Sequence, residues 1–226
     1  AIHAIKTNPP DMLGLSNYSW NSNLSEYIAS LAKKINPNVV TVQGGTNFPH
    51  RDELQKQFML SHPNTDAFVV LEGEVAFYNF IFKVLESRDS QSEVLNTPID
   101  GCVFIHPESK GSDDPLFIKG QPKIRLKQLD DIPSPYLNGM LDKFFDARLT
   151  PFLETNRGCP FTCTFCHTGN KYFNKVIRRN NFSCFVFLSL SGTVKSLVNS
   201  STEILLSTTS PLSSSCIKSE TVGKKV

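Results

Sequence analysis

The chain has 226 residues, of which 39% are apolar and 19% charged, a composition typical of a globular protein that can bury a core. Its formal net charge of +2 gives no clear signal for nucleic acid or an acidic membrane surface, because such partners usually require a strongly basic patch. The longest nearly apolar run, FVFLSL at 185–190, is far shorter than the roughly 20 residues of a spanning helix. The sequence therefore predicts a soluble, cytoplasmic protein with no membrane partner.

Strand and helix patterns alternate from the start of the chain. The stretch DMLGLSNYSW (11–20) predicts a strand that runs into a polar turn. The helix SNLSEYIASLAKKI follows, with Ser22 or Asn23 as its predicted cap. The predicted apolar stripe of this helix consists of Leu24, Ile28, Leu31 and Ile35.

Two further strand and helix units come next. NPNVVTVQGG (36–45) predicts a strand that ends in a glycine pair, and a helix is predicted over 51–60. TDAFVVLEGE (65–74) predicts a strand that ends in Glu-Gly-Glu, and VAFYNFIFKVLES predicts the helix after it. IDGCVFI (99–105) predicts another strand, in which Cys102 is expected to be a small core residue.

This alternation predicts an α/β fold: a doubly wound, mostly parallel, Rossmann-like sheet covered by helices on both faces. In such sheets ligands bind at the carboxyl ends of the strands. Residues 17–21, 44–49 and 72–74 all follow predicted strands, so we expect them to share one binding rim.

The whole chain is predicted to contain four regions. The α/β domain is expected to cover 1–105, and a connector with one short strand or hairpin to cover 106–147. Residues 148–176 are expected to begin a second domain, in which the predicted strand TPFLETNRG (150–158) leads into a cysteine loop. The Ser-rich tail, 177–226, is expected to be poorly ordered.

The cysteine loop NRGCPFTCTFCHTG has the spacing C-x3-C-x2-C, at Cys159, Cys163 and Cys166. Thiolates are soft ligands that select zinc, copper or iron–sulfur clusters. Three thiolates from one short loop suit a cluster with one iron left open, whereas a structural zinc site would need a distant fourth ligand. The third hypothesis is that the three thiols bind no metal. His167 is expected to be a polar loop residue rather than one that tunes the metal site through a hydrogen bond. Arg157 either offsets the negative charge of the thiolates or is an ordinary surface residue.

The stretch CPFTCTFC resembles the cysteine loop of the radical S-adenosylmethionine (SAM) superfamily, including the aromatic Phe165 before the last cysteine. The resemblance implies a (β/α) barrel whose first strand precedes the loop, and a [4Fe-4S] cluster on Cys159, Cys163 and Cys166. It also implies that SAM binds the open iron, with Phe165 near the adenine, and that one electron cleaves SAM to a radical that attacks a substrate. The implied partners are an unknown substrate and an external electron donor such as a flavodoxin or ferredoxin.

Residues 11–90 resemble the cobalamin-binding domain that precedes the barrel in one branch of that superfamily. The resemblance implies that two turns lie along the nucleotide tail of cobalamin; these turns contain Gly44, Gly45, Glu72, Gly73 and Glu74. The family's Gly-Gly-Pro-His reads Gly-Gly-Thr-Asn here, and no Asp-x-His-x-x-Gly motif is found. A cobalamin site and a cofactor-free scaffold therefore both stay open.

The resemblance ends near Lys175, and the glycine-rich SAM-contacting segment of the family is not found. We therefore expect a fragment of a radical SAM protein with an incomplete barrel, inactive on its own. One alternative is a non-catalytic α/β binding module with a zinc-binding or vestigial cysteine loop. Another is that only residues 1–105 fold stably.

Overall fold

The structure is a computed structural model that describes residues 2–87, 91–123, 125–144, 154–169 and 171–179. Of the predicted tail, 177–226, only residues 177–179 lie in this part of the chain. The rest of the tail, and the start of the strand predicted at 150–158, lie outside it. None of the described helices is long and apolar enough to cross a membrane.

Five helices and seven strands make up the regular structure of the described residues. The helices are α1 (Ile2–Thr7), α2 (Ser22–Ile35), α3 (Asp52–Ser61), α4 (Gly73–Glu86) and α5 (Gln91–Val94). The strands are β1 (Met12–Ser16), β2 (Val40–Gly44), β3 (Ala67–Val69), β4 (Cys102–Ile105), β5 (Phe117–Lys119), β6 (Asn156–Arg157) and β7 (Ile177–Arg178).

The main sheet has five strands in chain order. β1, β2 and β3 run parallel, while β4 is antiparallel to β3 and β5 is antiparallel to β4. The α/β class is therefore confirmed, with a mixed sheet in which four of the five strands point the same way. A doubly wound sheet starts in its middle and reverses direction once, whereas this sheet runs from β1 to β5 in chain order without a reversal. The short strand predicted in the connector is β5, which extends the main sheet.

Helices cover both faces of the sheet, as predicted. Helices α4 and α5 pack on the face that carries Val42, Val69 and Phe104, and Phe80 of α4 is completely buried there. Helix α3 packs on the opposite face through Met59, and α1 and α2 also pack on that face. The alternation of side chains along each strand explains why neighbouring residues serve different cores.

Helix α2 has the predicted bounds but a different buried face. Its buried residues are Ser25, Ala29 and Ala32, whereas Leu24 is exposed. Small side chains on the inner face let the helix lie close to the sheet, so the predicted stripe is wrong at Leu24. The predicted caps are also wrong: α2 begins at Ser22, Asn21 precedes it, and no side chain caps it.

The chain divides into two compact units. Residues 1–134 and 153–180 form the first, which contains the main sheet and the cysteine loop. The second comprises residues 135–152 and 181–226, and its described part, 135–144, contains a single 3-10 turn at Asp142–Phe144. All features discussed below lie in the first unit.

Candidate cofactor and cluster site

The three predicted strand ends meet at one rim of the sheet. The backbone N–H of Asn17, after β1, donates to the carbonyl of Gly44 at 2.7 Å. The backbone N–H of Asn47, after β2, donates to the carbonyl of Asn17 at 3.3 Å. The shared rim is therefore confirmed, and it follows from the parallel pairing of β1, β2 and β3.

An open cleft of about 540 Å³ runs along this rim. It lies on the face covered by α4, and its lining combines backbone with apolar side chains. The lining residues are Gly14, Leu15, Ser16, Tyr18, Val42, Gln43, Gly44, Gly45, Val69, Leu71, Gly73, Glu74 and Phe77. Such a surface suits a ligand that lies flat against backbone and is held by a few polar groups.

The fold requires glycine at one position of this cleft but not at two others. Gly45 has φ +142°, and a Cβ there would lie 2.3 Å from the carbonyl oxygen of Asn17, so the fold itself requires glycine. A Cβ on Gly44 would meet Val69 at 3.6 Å, an ordinary contact, and the same holds for Gly73. The fold would accept alanine at Gly44 and Gly73, where a methyl group would instead fill the cleft.

A buried polar network behind the rim was missed by the sequence analysis. The Asn17 side chain is fully buried; its amide donates to Gln43, and its oxygen accepts from Asn47 at 2.9 Å. Gln43 donates in turn to Thr65 at 2.6 Å, and Thr65 donates to Glu26 at 3.0 Å. The available signal was Gln43 itself, a polar residue in a strand where apolar residues dominate.

The two glutamates of the predicted Glu-Gly-Glu turn are committed to arginines. Glu72 is buried and accepts from Nε of Arg125 at 3.0 Å and from the backbone N–H of Leu126 at 3.1 Å. Glu74 accepts from Arg157 at 2.6 Å through Oε1. Its other oxygen, Oε2, is buried and has no hydrogen-bond partner among the described residues. A buried carboxylate oxygen without a partner is costly, so a hydrogen-bond donor that reached it would be stabilising.

Arg157 is paired with two carboxylates and mostly shielded from water, so the expectation of an ordinary surface arginine is wrong, while an effect of its charge on the thiolates stays a prediction. Its guanidinium binds Glu154 at 2.9 and 2.7 Å and Glu74 at 2.6 Å. The hydrogen bonds to Glu154 and Glu74 raise the pKa of Arg157 despite its burial. Burial by itself would raise the pKa of Glu74, but the hydrogen bond and charge of Arg157 lower it below the usual 4.5.

The cysteine loop leaves the short strand β6 and returns through β7. The two strands pair antiparallel, with Arg157 opposite Ile177, and the backbone N–H of Cys159 donates to the carbonyl of Phe173 at 2.9 Å. Gly158 has φ +107°, and a Cβ there would lie 2.4 Å from the carbonyl of Lys175. The glycine before Cys159 is thus required by the closeness of the returning chain.

The three loop thiols differ in exposure. Cys163 and Cys166 are exposed and Cys159 is half-buried, and none of the three is in a disulfide. The hydroxyl of Thr168, 3.1 Å from Sγ of Cys166, lowers the pKa of that thiol and so favours the thiolate. Cys102 is buried in β4, which confirms its prediction as a core residue, and this burial raises the pKa of its thiol to about 12.

A [4Fe-4S] cluster fits the donor set of this loop. Cys159, Cys163 and Cys166 lie within eight residues, two of them are open to solvent, and the hydrogen bond with Thr168 lowers the pKa of Cys166. Three thiolates from one loop leave one iron without a protein ligand. Among the described residues, the side chains of Cys, His, Asp and Glu do not converge on a preformed metal site.

Two further clefts connect the rim to the cysteine loop. One, of about 340 Å³, is lined by rim residues that include Gly45 and Glu74, and by Arg157 and Thr168 of the cysteine segment. The other, of about 540 Å³, lies between residues 46–50 and 164–166. Phe165 lines this second cleft and is 91% exposed, so its ring is available to a ligand. The cysteine loop and the strand ends therefore face common space.

The chain resembles several curated enzymes, although no family model matches it. It is 34% identical over 167 residues to 2-(S-pantetheinyl)-carbapenam-3-carboxylate methyltransferase of Streptantibioticus cattleyicolor, covering 71% of this chain and 22% of the relative. The cobalamin-dependent radical SAM methyltransferase TokK of Streptomyces tokunonensis gives the same identity and the same coverage. The anaerobic magnesium-protoporphyrin IX monomethyl ester cyclase of Rubrivivax gelatinosus is 29% identical over 167 residues, covering 72% of this chain and 28% of the relative.

The chain thus spans about a fifth of the length of the two methyltransferases. Both matches extend over most of this chain, and the name of one states a radical SAM activity that depends on cobalamin. Together with the cysteine loop, these relatives support the radical SAM superfamily for this chain.

Proposed function

We propose that this chain is the cofactor-binding part of a cobalamin-dependent radical SAM enzyme. The observation that carries the proposal is the cleft of about 340 Å³ that the strand-end rim and the cysteine segment line together. A cofactor on the rim and a cluster on the loop would face each other across this space. Because the chain spans 22% of each of the two methyltransferases, the proposal concerns cofactor binding rather than turnover of a substrate.

In this proposal Cys159, Cys163 and Cys166 hold a [4Fe-4S] cluster, which supplies the electron that cleaves SAM. Thr168 keeps the thiolate of Cys166 favoured through its hydroxyl. The exposed ring of Phe165 would be available to pack against the adenine of SAM. An external one-electron donor, such as a flavodoxin or ferredoxin, would supply that electron.

Cobalamin is proposed for the cleft at the strand ends. Gly44 and Gly73 leave room that the fold does not itself require, and Oε2 of Glu74 offers a buried acceptor for a hydrogen-bond donor of the ligand. Gly45 lines the same cleft, and its close packing against Asn17 also requires glycine there. Methyl transfer is the reaction type favoured for the whole enzyme, because TokK and the pantetheinyl-carbapenam enzyme are methyltransferases.

Electron paramagnetic resonance (EPR) tests the cluster and SAM together. The chain is reconstituted anaerobically with iron and sulfide, reduced with dithionite, and measured with and without SAM. We expect a cluster signal whose g values change on addition of SAM, because SAM occupies the open iron. The variant Cys166→Ala should lose the signal. A cluster signal that SAM leaves unchanged, or a protein that takes up zinc and stays colourless, would reject the proposal.

A further inference from the structure

Arg125 closes the base of the cysteine loop. Its Nη2 donates to the carbonyl of Arg157, in β6, at 3.0 Å, and its Nη1 donates to the carbonyl of Lys175, two residues before β7. These two carbonyls lie on either side of the segment that contains all three loop cysteines. One guanidinium therefore holds together the outgoing and the returning chain.

The same guanidinium is anchored in the α/β domain. Its Nε donates to Oε1 of Glu72 at 3.0 Å, and the other oxygen of Glu72 accepts from the backbone N–H of Leu126. The side chains of Arg125 and Glu72 are only 12% and 6% exposed. Hydrogen bonds between charged groups that are shielded from water are among the strongest in proteins. The anchor thus ties the cysteine loop to the turn that follows β3.

Packing restricts where this guanidinium can lie. The rings of Tyr172 and Phe173, on the returning chain, lie 5.9 and 5.8 Å from its central carbon. A Cβ on Gly158, next to Cys159, would lie 2.6 Å from its Nη2. Arg125 is thus held between the aromatic pair and the residue that precedes the first cysteine.

We propose that Arg125 is a positioning residue for the cysteine loop, which it fixes to the α/β domain through Glu72. Arg125, which lies 34 residues before Cys159, would then hold the cluster ligands in their positions. The inference rests on the proposed function where it concerns the cluster. The contacts themselves require no cofactor and are testable without one.

The proposal requires an arginine rather than a positive charge alone. The guanidinium donates in three directions from a planar fork, whereas the ammonium of lysine is a compact charge on a flexible stem. A lysine could pair with Glu72 but could not also bridge the carbonyls of Arg157 and Lys175. Arg125→Lys should therefore behave like Arg125→Met, whereas a general electrostatic role would allow lysine to rescue.

Hydrogen–deuterium exchange of the cofactor-free chain is the first test. Some amides of the loop, such as that of Cys159, are protected from exchange in the wild type. In Arg125→Met and Arg125→Lys we expect these amides to exchange at least about tenfold faster than in the wild type. Glu72→Gln should act in the same direction. Amides of β2 should not change, and Lys127→Met is the control because Lys127 is an exposed cation two residues further along. Equal exchange in wild type and Arg125→Met, or full rescue by lysine, would overturn the proposal.

Iron retention is the second test. The reconstituted variants should lose iron to a chelator about tenfold or more faster than wild type and Lys127→Met, while their melting temperatures remain close to that of wild type. Unchanged iron loss would reject the role of Arg125 in the cluster. If the wild type binds no iron at all, the proposed function fails, and the exchange experiment still decides whether Arg125 positions the loop.

Discussion

At the level of single residues, the glycines of the strand-end cleft differ in whether the fold can accept a side chain in their place. Gly45 cannot carry a side chain, because a Cβ would collide with the backbone of Asn17. Gly44 and Gly73 could carry one without a clash. The fold does not require glycine at those two positions, and the proposed cobalamin site would account for it by the space that it leaves in the cleft.

Alanine substitutions test this difference. Gly45→Ala should lower the free energy of unfolding by more than about 1 kcal/mol, because it forces a side chain into a left-handed conformation with a clash. Gly73→Ala, at the start of α4, should change that free energy by no more than about 1 kcal/mol, in the stabilising direction. Urea unfolding measures both. Gly111→Ala is the control for strain alone, since Gly111 has φ +89° and no atom within 4 Å of a Cβ.

The same variants test the ligand. In equilibrium dialysis with hydroxocobalamin, Gly44→Ala and Gly73→Ala should bind about 5-fold to 150-fold more weakly than wild type, because a crowded contact costs about 1–3 kcal/mol. Unchanged binding in both variants would remove the cleft from the cofactor site. No binding by the wild type would favour the cofactor-free scaffold.

The cysteines should differ sharply in reactivity. Alkylation requires the thiolate, and burial raises the pKa of Cys102 to about 12, whereas Cys163 and Cys166 are exposed. Under reducing, metal-free conditions at mildly alkaline pH, we expect iodoacetamide to label Cys163 and Cys166 well before Cys102. Peptide mass spectrometry follows each site. Labelling of Cys102 at the same rate, in a chain that remains folded, would contradict the buried position of β4.

At the level of elements, the β6–β7 pair is held to α4 by the contact between Arg157 and Glu74. Because the folded-state pKa of Glu74 is lowered, its contribution to stability is present above the usual 4.5 and is lost as the pH falls through the folded value. The pH window in which this contribution is lost therefore lies below 4.5.

Arg157→Met measures that contribution. The difference in the free energy of unfolding between wild type and variant should be largest at neutral pH and should narrow at pH values below 4.5. Lys56→Met is the control, because its partner Asp114 is 91% exposed and the pair should contribute little at any pH. A difference that stays constant with pH would show that Arg157 acts through packing rather than charge.

The sequence was most informative about elements whose pattern is local. Helix α2 has the predicted bounds because its periodicity and turn residues are contained in one stretch of chain. The direction of β4 was not predictable in the same way, since a short apolar run reads alike in parallel and antiparallel strands. The buried face of α2 was also missed, because close packing there favours Ala29 and Ala32 over the larger Leu24.

At the level of the whole molecule, the sequence located the parts of the candidate site but not the contacts between them. The three cysteines and the glycine turns were visible because their spacing is local. The bond between Arg125 and Glu72 joins residues 53 positions apart, and the contact between Arg157 and Glu74 joins residues 83 apart. Such pairs leave no local pattern, because either partner alone reads as an ordinary surface charge.

The central claim is that the cysteine loop holds an iron–sulfur cluster, and iron and acid-labile sulfide content after anaerobic reconstitution tests it most directly. We expect about four irons and about four sulfides per chain in the wild type, and loss of both in Cys163→Ala. Cys216→Ala, a cysteine outside the loop, is the control and should bind as wild type does. Zinc in place of iron, or no metal in the wild type, would contradict the account and leave an α/β scaffold with a cysteine loop of another purpose.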